Sequence, residues 1–337
     1  MDESDLNFSL LTTFSISIQP YPTDLALKSS IDQSDSLVDL SSKDLFKLLP
    51  NLKLHLERLS NCQITLSILL PNCWCSNQQG KIKHSTIINQ LRKRIISLKQ
   101  SHVERATPSS DCSLNQSEIR LNASSSYRVR LTVNRDLEPT ISIEPIRPHP
   151  LSFQSISSIS GYLSSEALKR KHHYPALSLK DDGLLKVRID DCPTNYSDNP
   201  FLIVKTTNRS FYDSTRKRHN ASYEPGEGQP FDVLLFNSEG QVTETTISNV
   251  AFRRRTVRVD EDVEGSEDDE SDINNCWITP HLKCGLLNGI KRQTLLSSNG
   301  LVEGFIQLDQ LKKNLGGYDV ICFNEVRGIY PVSLLLP

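Results

Sequence analysis

The segment from Asn199 to His219 constrains this chain most, because it places a reactive type of side chain at the end of an apolar run. Four apolar residues, Phe201–Val204, are followed directly by Lys205 and then by two threonines. We predict a buried strand that ends on Lys205, then a helix capped by Thr206 or Thr207. A lysine at such a junction loses hydration, which lowers the pKa of the amine and makes it a nucleophile. On this segment alone, a solvent-exposed lysine is the commoner alternative.

The composition narrows the class of protein. The 337 residues carry a net charge of −2, which argues against a general nucleic-acid-binding protein. The length favours two domains, and 37% hydrophobic with 23% charged residues is typical of a soluble globular chain. No apolar run approaches the length of a membrane span, and the acidic start at 1–5 does not resemble a signal peptide. We therefore expect a cytoplasmic protein with no membrane or nucleic-acid partner.

The eight cysteines are scattered and form no pattern that indicates a metal site or a disulfide framework. Cys73 and Cys75 make a single C-W-C motif without a second pair. We interpret Cys284 and Cys322 as small apolar side chains. The sequence therefore predicts no metal ion and reduced thiols.

The N-terminal part reads as an α/β domain. Residues 6–20 alternate between apolar and polar types, which predicts a strand that contains Thr12 and Thr13. A helix is predicted to begin at Pro50, with Arg58 beside its leucine stripe. The other segments are predicted as a Ser/Asp-rich loop at 29–42, a strand or buried segment at 62–71, a helix at 84–100, a polar loop at 101–125 and a hairpin at 127–146.

The second half is rich in strands and begins after a proline-rich boundary near residue 150. We therefore assign 1–150 to the first domain and 151–337 to the second. Residues 231–259 predict a hairpin with a following strand, and the acidic run at 260–272 is interpreted as a solvated loop insertion. A helix is predicted to start at about Ile290, and a tight NEVRG turn joins the last two strands.

Four separate sequence features are explained by one kind of chemistry. Lys205 supplies an amine that can condense with an aldehyde, and Glu244 supplies a carboxylate that can keep a pyridine nitrogen protonated. The amides of Ile290 and Lys291 lie at a predicted helix N-terminus, which binds phosphate readily, and Arg58 adds bidentate phosphate recognition. These are the requirements of pyridoxal 5′-phosphate chemistry. Each feature is weak alone, and only their combination carries this interpretation.

Five motifs resemble, in order, those of the fold-type IV pyridoxal-phosphate enzymes: LHLERL, KTTNR, VTETTISNVAF, WITPHLKCGLLNGIKRQ and NEVRGIYPV. That group holds branched-chain and D-amino-acid aminotransferases and aminodeoxychorismate lyases. The resemblance covers most of the chain, is dense from Phe201 to Pro331 and is thin before residue 50. It implies a small N-terminal α/β sandwich, a C-terminal barrel-like α/β domain, a cofactor in the cleft between them, and a homodimer.

The sequence around the lysine resembles the lyases within this group. Branched-chain aminotransferases tend to carry K-x-x-G-N-Y, whereas Lys205 is followed by T-T-N-R, which is similar to the K-x-x-N-R of the lyases. The segments YRVRLTVNRD and KTTNRSFYD resemble the fungal lyase form. LLTTFSI resembles the first active-site strand of the lyases, with Thr12 and Thr13 at the matching pair. Lys205 is then the lysine that carries the cofactor, and Glu244 pairs with the pyridine nitrogen.

The same resemblance implies how the phosphate is bound. Its ligands are Arg58 and the amides of Ile290 and Lys291, and Asn324 in the NEVRG turn lies close to it. Three departures stand out. Relatives usually have an extra strand and a Gly-Asp-Gly turn before the first active-site strand, whereas the sequence here starts almost on that strand. Lys291 replaces the usual threonine of G-I-T-R, and the acidic run has no counterpart in the family pattern. The first departure affects the substrate end of the pocket.

The function that the resemblance implies is 4-amino-4-deoxychorismate lyase, which makes 4-aminobenzoate and pyruvate for folate synthesis. An aminotransferase acting on branched-chain or D-amino acids is the alternative, because it uses the same lysine. A third interpretation is a catalytically silent scaffold protein that acts through the acidic run, and intact Lys205, Glu244 and Arg58 argue against it. No motif marks the residues that meet the carboxylates of the substrate.

Overall fold

The computed structural model describes residues 8–18, 42–71, 80–106, 125–146, 151–163, 184–197, 199–255 and 276–337. The chain divides into two compact units, the first formed by Met1–Pro148 with Thr206–Asn208, the second by His149–Lys205 with Arg209–Pro337. The sequence predicts a single boundary near residue 150. It does not predict that the short segment Thr206–Asn208 belongs to the first unit.

The first unit is built on a three-stranded antiparallel sheet in the order β1-β2-β3. Its elements are β1 (Leu10–Ile18), α1 (Ser42–Leu48), α2 (Leu52–Leu69), α3 (His84–Ala106), β2 (Ser125–Val133) and β3 (Pro139–Ile146). The distant segment Thr206–Asn208 joins this sheet, because Thr206 bridges Leu10 and the Thr207 amide donates to the Ser9 carbonyl at 2.8 Å.

The leucine stripe of the helix predicted from Pro50 is confirmed, although the helix begins at Leu52, after an Asn51 N-cap. Of the two alternatives for 62–71, a strand or a buried segment, the strand is wrong. The helix α2 continues to Leu69, because buried Cys62 and Leu66 extend the spacing of three and four residues begun by Leu52 and Leu59. The predicted helix at 84–100 is confirmed and runs on to Ala106, into what was predicted as loop. The hairpin at 127–146 is confirmed as β2 and β3.

The second unit is built on one eight-stranded sheet in the order β6-β5-β4-β11-β10-β7-β8-β9. Its strands are β4 (Leu185–Ile189), β5 (Asp232–Phe236), β6 (Val242–Thr245), β7 (Asn249–Arg254), β8 (Ile278–Pro280), β9 (Val302–Gly304), β10 (Tyr318–Asn324) and β11 (Gly328–Leu335). Its named helices are α4 (Pro200–Ile203), α5 (Ser210–Arg218), α6 (Ile290–Ser297) and α7 (Leu308–Lys313). The predicted hairpins and final turn are confirmed.

The eight-stranded sheet curls toward a half-barrel. Its first edge, β6, meets the segment that follows its last edge, β9: Gln241 bridges Gln307, and the Val242 amide donates to the Ile306 carbonyl at 2.9 Å. Curling lets one face of the sheet enclose a core, and that core contains buried side chains from several strands: Val187, Ile189, Leu234, Val242, Val250, Phe252, Val320 and Tyr330. The mixed α/β architecture predicted from the sequence is confirmed.

The strand predicted at Phe201–Val204 is wrong, because this run forms the one-turn helix α4. The side chain of Asn199 caps it by accepting from the Phe201 amide at 3.0 Å, and Pro200 occupies the first helical position. The predicted threonine cap of the next helix is wrong as well. Helix α5 begins at Ser210, after a residue whose side chain makes no capping bond.

Several predicted features fall outside the described residues. These are most of the Ser/Asp-rich loop predicted at 29–42, most of the polar loop predicted at 101–125, the C-W-C motif and the acidic run at 260–272. Within the described part of the chain, none of the helices combines the length and apolar character needed to span a membrane.

Candidate active site

Lys205 is the last residue of the second unit before the segment that pairs with β1. It follows α4, where the chain leaves the helix at Val204 in an extended conformation, and its side chain is half-buried. The lysine therefore sits between a helix and a β-bridge, not at the end of a strand. Both neighbouring residues, Val204 and Thr206, are buried, so the backbone at Lys205 is held on both sides.

Glu244 lies in β6 and is only 4% exposed, in an otherwise buried strand. Tyr212 donates a hydrogen bond from its hydroxyl to Oε1 of Glu244 at 2.9 Å, and the amide of Leu287 also donates to this carboxyl group. Burial raises the pKa of Glu244 to about 8, although these two donors and the charges of Lys205 and Arg209 act in the opposite direction. The site therefore holds a carboxyl proton into the neutral range, close to the Lys205 amine.

The raised pKa of Glu244 predicts a pH-dependent stability of the cofactor-free protein. The unfolded chain releases this proton near pH 4.5 and the folded protein near pH 8, so folding takes up a proton between these values. The free energy of unfolding should therefore fall as the pH rises through this window, by up to about 5 kcal/mol from this group. Glutamine takes up no proton, so the stability of Glu244→Gln relative to the unchanged protein should rise between about pH 4.5 and pH 8 and level off above pH 8.

Thermal unfolding of both proteins at several values between about pH 5 and pH 9 measures this difference. Glu239→Gln is the matched control, because Glu239 lies exposed in the turn that precedes β6. A stability difference between Glu244→Gln and the unchanged protein that stays constant with pH would contradict the assignment of the raised pKa.

The predicted helix start at Ile290 is confirmed, and the N-terminus of α6 is free of side-chain capping. Gly289 is its N-cap residue, so the amides of Ile290 and Lys291 are among the first of the helix. The loop before it is held to the sheet by Asn249, whose Nδ2 donates to the Leu287 carbonyl at 2.9 Å. The same Leu287 reaches Glu244 through its amide, so this loop ties the carboxyl group to the start of α6.

Gly289 is required at this point by close packing. A Cβ on Gly289 would lie 2.1 Å from Oδ1 of Asn249, and that oxygen belongs to the short side chain that fixes the loop. We expect Gly289→Ala to displace Asn249 and to lower the free energy of unfolding by about 1–3 kcal/mol. Denaturant unfolding measures the loss. Gly316→Ala is the control, since no atom lies within 4 Å of a Cβ there, and equal stability of the two variants would contradict this reason for the glycine.

Asn324 uses its side chain to hold the turn between β10 and β11. Its Nδ2 donates to Oγ of Ser248 at 2.8 Å, and its Oδ1 accepts from the amides of Val326 and Arg327 at 3.0 and 2.8 Å. The side chain thus connects this turn to the segment just after β6. The expected position close to a phosphate stays a prediction.

The candidate residues of the first unit meet around one buried threonine. Arg58 donates to Oγ1 of Thr12, and Nδ1 of His55 lies 2.6 Å from the same oxygen. Thr12 is fully buried, whereas its neighbour Thr13 is partly exposed, since successive side chains of a strand point to opposite faces. The two threonines therefore cannot face the same side of β1. The phosphate contact of Arg58 and the catalytic roles of both threonines stay predictions.

Sequence reasoning missed the residues that surround Glu244. Neither the hydroxyl of Tyr212 nor the amide of Leu287 is predicted from the sequence to meet this carboxyl group. The available signal was the spacing of Arg209 and Tyr212, which places both at the start of α5, with the Arg209 guanidinium 4.9 Å from the centre of the Tyr212 ring. Nothing in the local sequence indicates that this pair faces β6.

A second polar cluster of the second unit is an ion-pair network. Asp190, Asp191 and His219 come close enough to share a cation. The buried carboxylate of Asp190, however, already accepts from Arg218 at 2.7 and 2.8 Å and lies 2.8 Å from Nε2 of His219. These contacts join the end of α5 to β4.

Comparison with protein families shows one match that covers most of the chain. The model of the family described as amino-transferase class IV matches residues 47–335. A curated protein of Schizosaccharomyces pombe, provisionally named an aminodeoxychorismate lyase, is 38% identical over 151 residues, which are 44% of this chain. The match covers 54% of that relative, so the chain spans about half its length.

Solved structures resemble this chain at low sequence identity. A provisionally assigned branched-chain amino acid aminotransferase of Thermotoga maritima superposes with a TM-score of 0.50 at 14% identity, covering all of this chain and 81% of that one. A provisionally assigned 4-amino-4-deoxychorismate lyase of Legionella pneumophila gives 0.48 at 16% identity, over 99% and 85%. The first likeness shows that this chain has the architecture of such enzymes.

Proposed function

This chain belongs to the amino-transferase class IV family, and we propose that it is a pyridoxal 5′-phosphate enzyme that acts as 4-amino-4-deoxychorismate lyase. One observation carries the proposal. The half-buried amine of Lys205 lies close enough to lower the pKa of Glu244, a buried carboxyl group that holds its proton up to about pH 8. An amine and an acid of this kind, in one unit, suit an aldehyde and a basic ring nitrogen of one cofactor.

The residues of the second unit fit this cofactor by the chemistry of their donors. Glu244 offers a proton to a ring nitrogen, and Lys205 offers an amine to an aldehyde. The start of α6 offers amide N–H groups to a phosphate, because no side chain caps it. The loop from Leu287 to Ile290 connects Glu244, which the Leu287 amide contacts, to the first amides of α6.

Each residue has a defined task in the proposed reaction. When bound, the cofactor supplies an electron sink that accepts the electrons left on a substrate carbon. Glu244 holds a proton at the ring nitrogen, which requires a carboxylate placed and oriented before the reaction. Lys205 acts as general base through Nζ and removes the proton from the substrate ring carbon that bears the amino group.

The atoms balance without a second substrate. The carbon–oxygen bond next to the deprotonated carbon breaks, and the enolpyruvyl group leaves. The proton taken by Nζ of Lys205 returns to the methylene carbon of the enolpyruvate, which becomes pyruvate. The ring becomes aromatic as 4-aminobenzoate, and this aromatisation supplies much of the driving force.

The lyase is favoured over an aminotransferase by two observations. The relative with 38% identity carries a lyase name, and the sequence after Lys205 reads T-T-N-R where branched-chain aminotransferases tend to carry x-x-G-N-Y. An aminotransferase acting on branched-chain or D-amino acids is the second candidate, because the family and the Thermotoga structure include that activity by name.

Product analysis separates the two candidates. A lyase completes its cycle with one substrate, so we expect many turnovers of aminodeoxychorismate to 4-aminobenzoate and pyruvate with no 2-oxo acid present. Half-transamination of alanine, leucine or their D-isomers should be slower by about 10²-fold or more, because a small misplacement at the reacting carbon has an effect of this size. Fast formation of the amine form of the cofactor from amino acids, together with no aminobenzoate, would assign the protein to the aminotransferases.

A further inference from the structure

We infer that Tyr212 is a positioning residue for Glu244, and that Arg209 holds Tyr212 in the orientation this requires. The purpose assigned to the carboxyl group rests on the proposed function, whereas the interaction itself is a property of the cofactor-free protein. The inference gives Arg209, the arginine of the K-T-T-N-R segment, a physical role within the second unit.

The contact between Tyr212 and Glu244 is buried and direct. The phenol oxygen lies 2.9 Å from Oε1 of Glu244, and both side chains are more than nine-tenths buried. Burial, and then the charge of Glu244, raise the pKa of Tyr212 well above its usual range, so the hydroxyl keeps its proton and donates. A carboxylate has about four acceptor positions, and the donors Tyr212 and Leu287 occupy two of them.

Arg209 fixes the ring that carries this hydroxyl. Its guanidinium carbon lies 4.9 Å from the centre of the Tyr212 ring, within the range of a cation–π contact. Its Nη2 also donates to the carbonyl of Thr246 at 2.8 Å, two residues after Glu244. The arginine therefore connects the start of α5 to the backbone that follows β6, which limits the movement of the phenol relative to the carboxyl group.

Other titratable groups also face Glu244 within the described residues. Tyr212 and Arg209 approach from the start of α5, Lys205 from the segment before it, and Tyr196 from the segment after β4. Tyr196 donates to or accepts from Thr243 at 2.7 Å, so its hydroxyl is engaged beside the strand. Tyr212 is therefore the phenol whose removal acts on Glu244 through a hydrogen bond.

Tyr212→Phe removes this hydroxyl and keeps the ring under Arg209. The thermal stability of four cofactor-free proteins should be measured between about pH 5 and pH 10: the unchanged protein, Tyr212→Phe, Glu244→Gln and the double variant. The stability difference between the unchanged protein and Glu244→Gln reports the titration of Glu244 when Tyr212 is present. The difference between Tyr212→Phe and the double variant reports it when the Tyr212 hydroxyl is absent. The hydrogen bond from Tyr212 favours the ionised form of Glu244, so its loss should raise the proton affinity of Glu244 about tenfold. The stability difference between Tyr212→Phe and the double variant should therefore level off about one pH unit higher than the difference between the unchanged protein and Glu244→Gln.

A merely structural tyrosine would give a different result. It would shift the melting temperature equally at every pH and in both backgrounds, and an unchanged levelling-off pH would overturn the inference. Tyr223→Phe is the matched control, because the Tyr223 ring also packs against an arginine, at 4.1 Å from Arg216, but is half exposed and is not among the residues that shift the pKa of Glu244. It should leave the levelling-off pH in place.

Arg209→Lys tests the second part of the inference. Lysine keeps the positive charge and loses the planar contact and the fork of donors. The levelling-off pH should move in the same direction as in Tyr212→Phe, and adding Arg209→Lys to Tyr212→Phe should produce no further shift. No shift in Arg209→Lys alone would show that Tyr212 needs no support from this arginine and would overturn that part.

The loaded enzyme supplies an independent readout. In Tyr212→Phe we expect turnover to fall on the order of tenfold with KM for the substrate nearly unchanged, because the carboxyl group acts on the reaction and not on substrate binding. A fall in turnover without the pH shift would overturn the inference. Failure of the proposed function would be recognised separately, as a cofactor bound at a lysine other than Lys205 while the pH shift persists.

Discussion

Replacing Lys205 with arginine is expected to abolish product formation, with a loss on the order of 10⁴-fold in turnover. Arginine keeps the positive charge and nearly the length of lysine, but its guanidinium does not give up its proton in proteins. It can therefore neither condense with the aldehyde of the cofactor nor take the proton from the substrate. Both proposed tasks of Nζ disappear together, which makes this the largest effect that we predict for a single substitution.

Borohydride reduction of the loaded enzyme tests the same assignment without turnover. Mass spectrometry of the digested protein should find the reduced cofactor on Lys205 and should find none on the corresponding peptide of the Lys205→Arg variant. Lys217→Arg is the matched control, since Lys217 lies exposed on α5, and it should keep full activity and labelling. A reduced adduct on any other lysine of the unchanged protein would refute the role of Lys205.

Replacing Glu244 with glutamine should lower turnover by about 10²–10³-fold while leaving the fold intact. Glutamine has the same shape and can still accept from Tyr212, which donates to Oε1 at 2.9 Å. It cannot stabilise a protonated ring nitrogen as a carboxylate does, so the stabilisation of developing charge is lost. The cofactor should still bind, because the proposed phosphate ligands and Lys205 are unchanged.

Steady-state kinetics and equilibrium binding of pyridoxal 5′-phosphate measure these two effects separately. Glu239→Gln, in the exposed turn of the same hairpin, should match the unchanged protein in both. Unchanged turnover in Glu244→Gln would exclude the ring-nitrogen role. Because the same substitution should stabilise the cofactor-free protein above about pH 8, a lost activity combined with a gained stability would identify Glu244 as a residue kept for function.

Much of the framework of this protein follows from local sequence alone. The first half of helix α2 follows from its leucine spacing, the hairpins from alternating runs around polar turns, and the start of α6 from Gly289 before an apolar periodic segment. These patterns work because each element buries one face, so the period of the apolar residues reports the element. The order of the motifs around Lys205 and Glu244 likewise indicates the family whose model matches residues 47–335.

Only the tertiary structure decided what surrounds those motifs. Helix α4 is an exception, because Asn199 and Pro200 are a local helix start that the apolar run obscured. The pairing of Thr206 with Leu10, in contrast, assigns the next segment to the first unit. The bond from Tyr212 to Glu244 joins positions 32 residues apart, and its strength comes from burial that the curled sheet creates. Contacts of this kind depend on which elements pack together, and neither propensity nor periodicity carries that information.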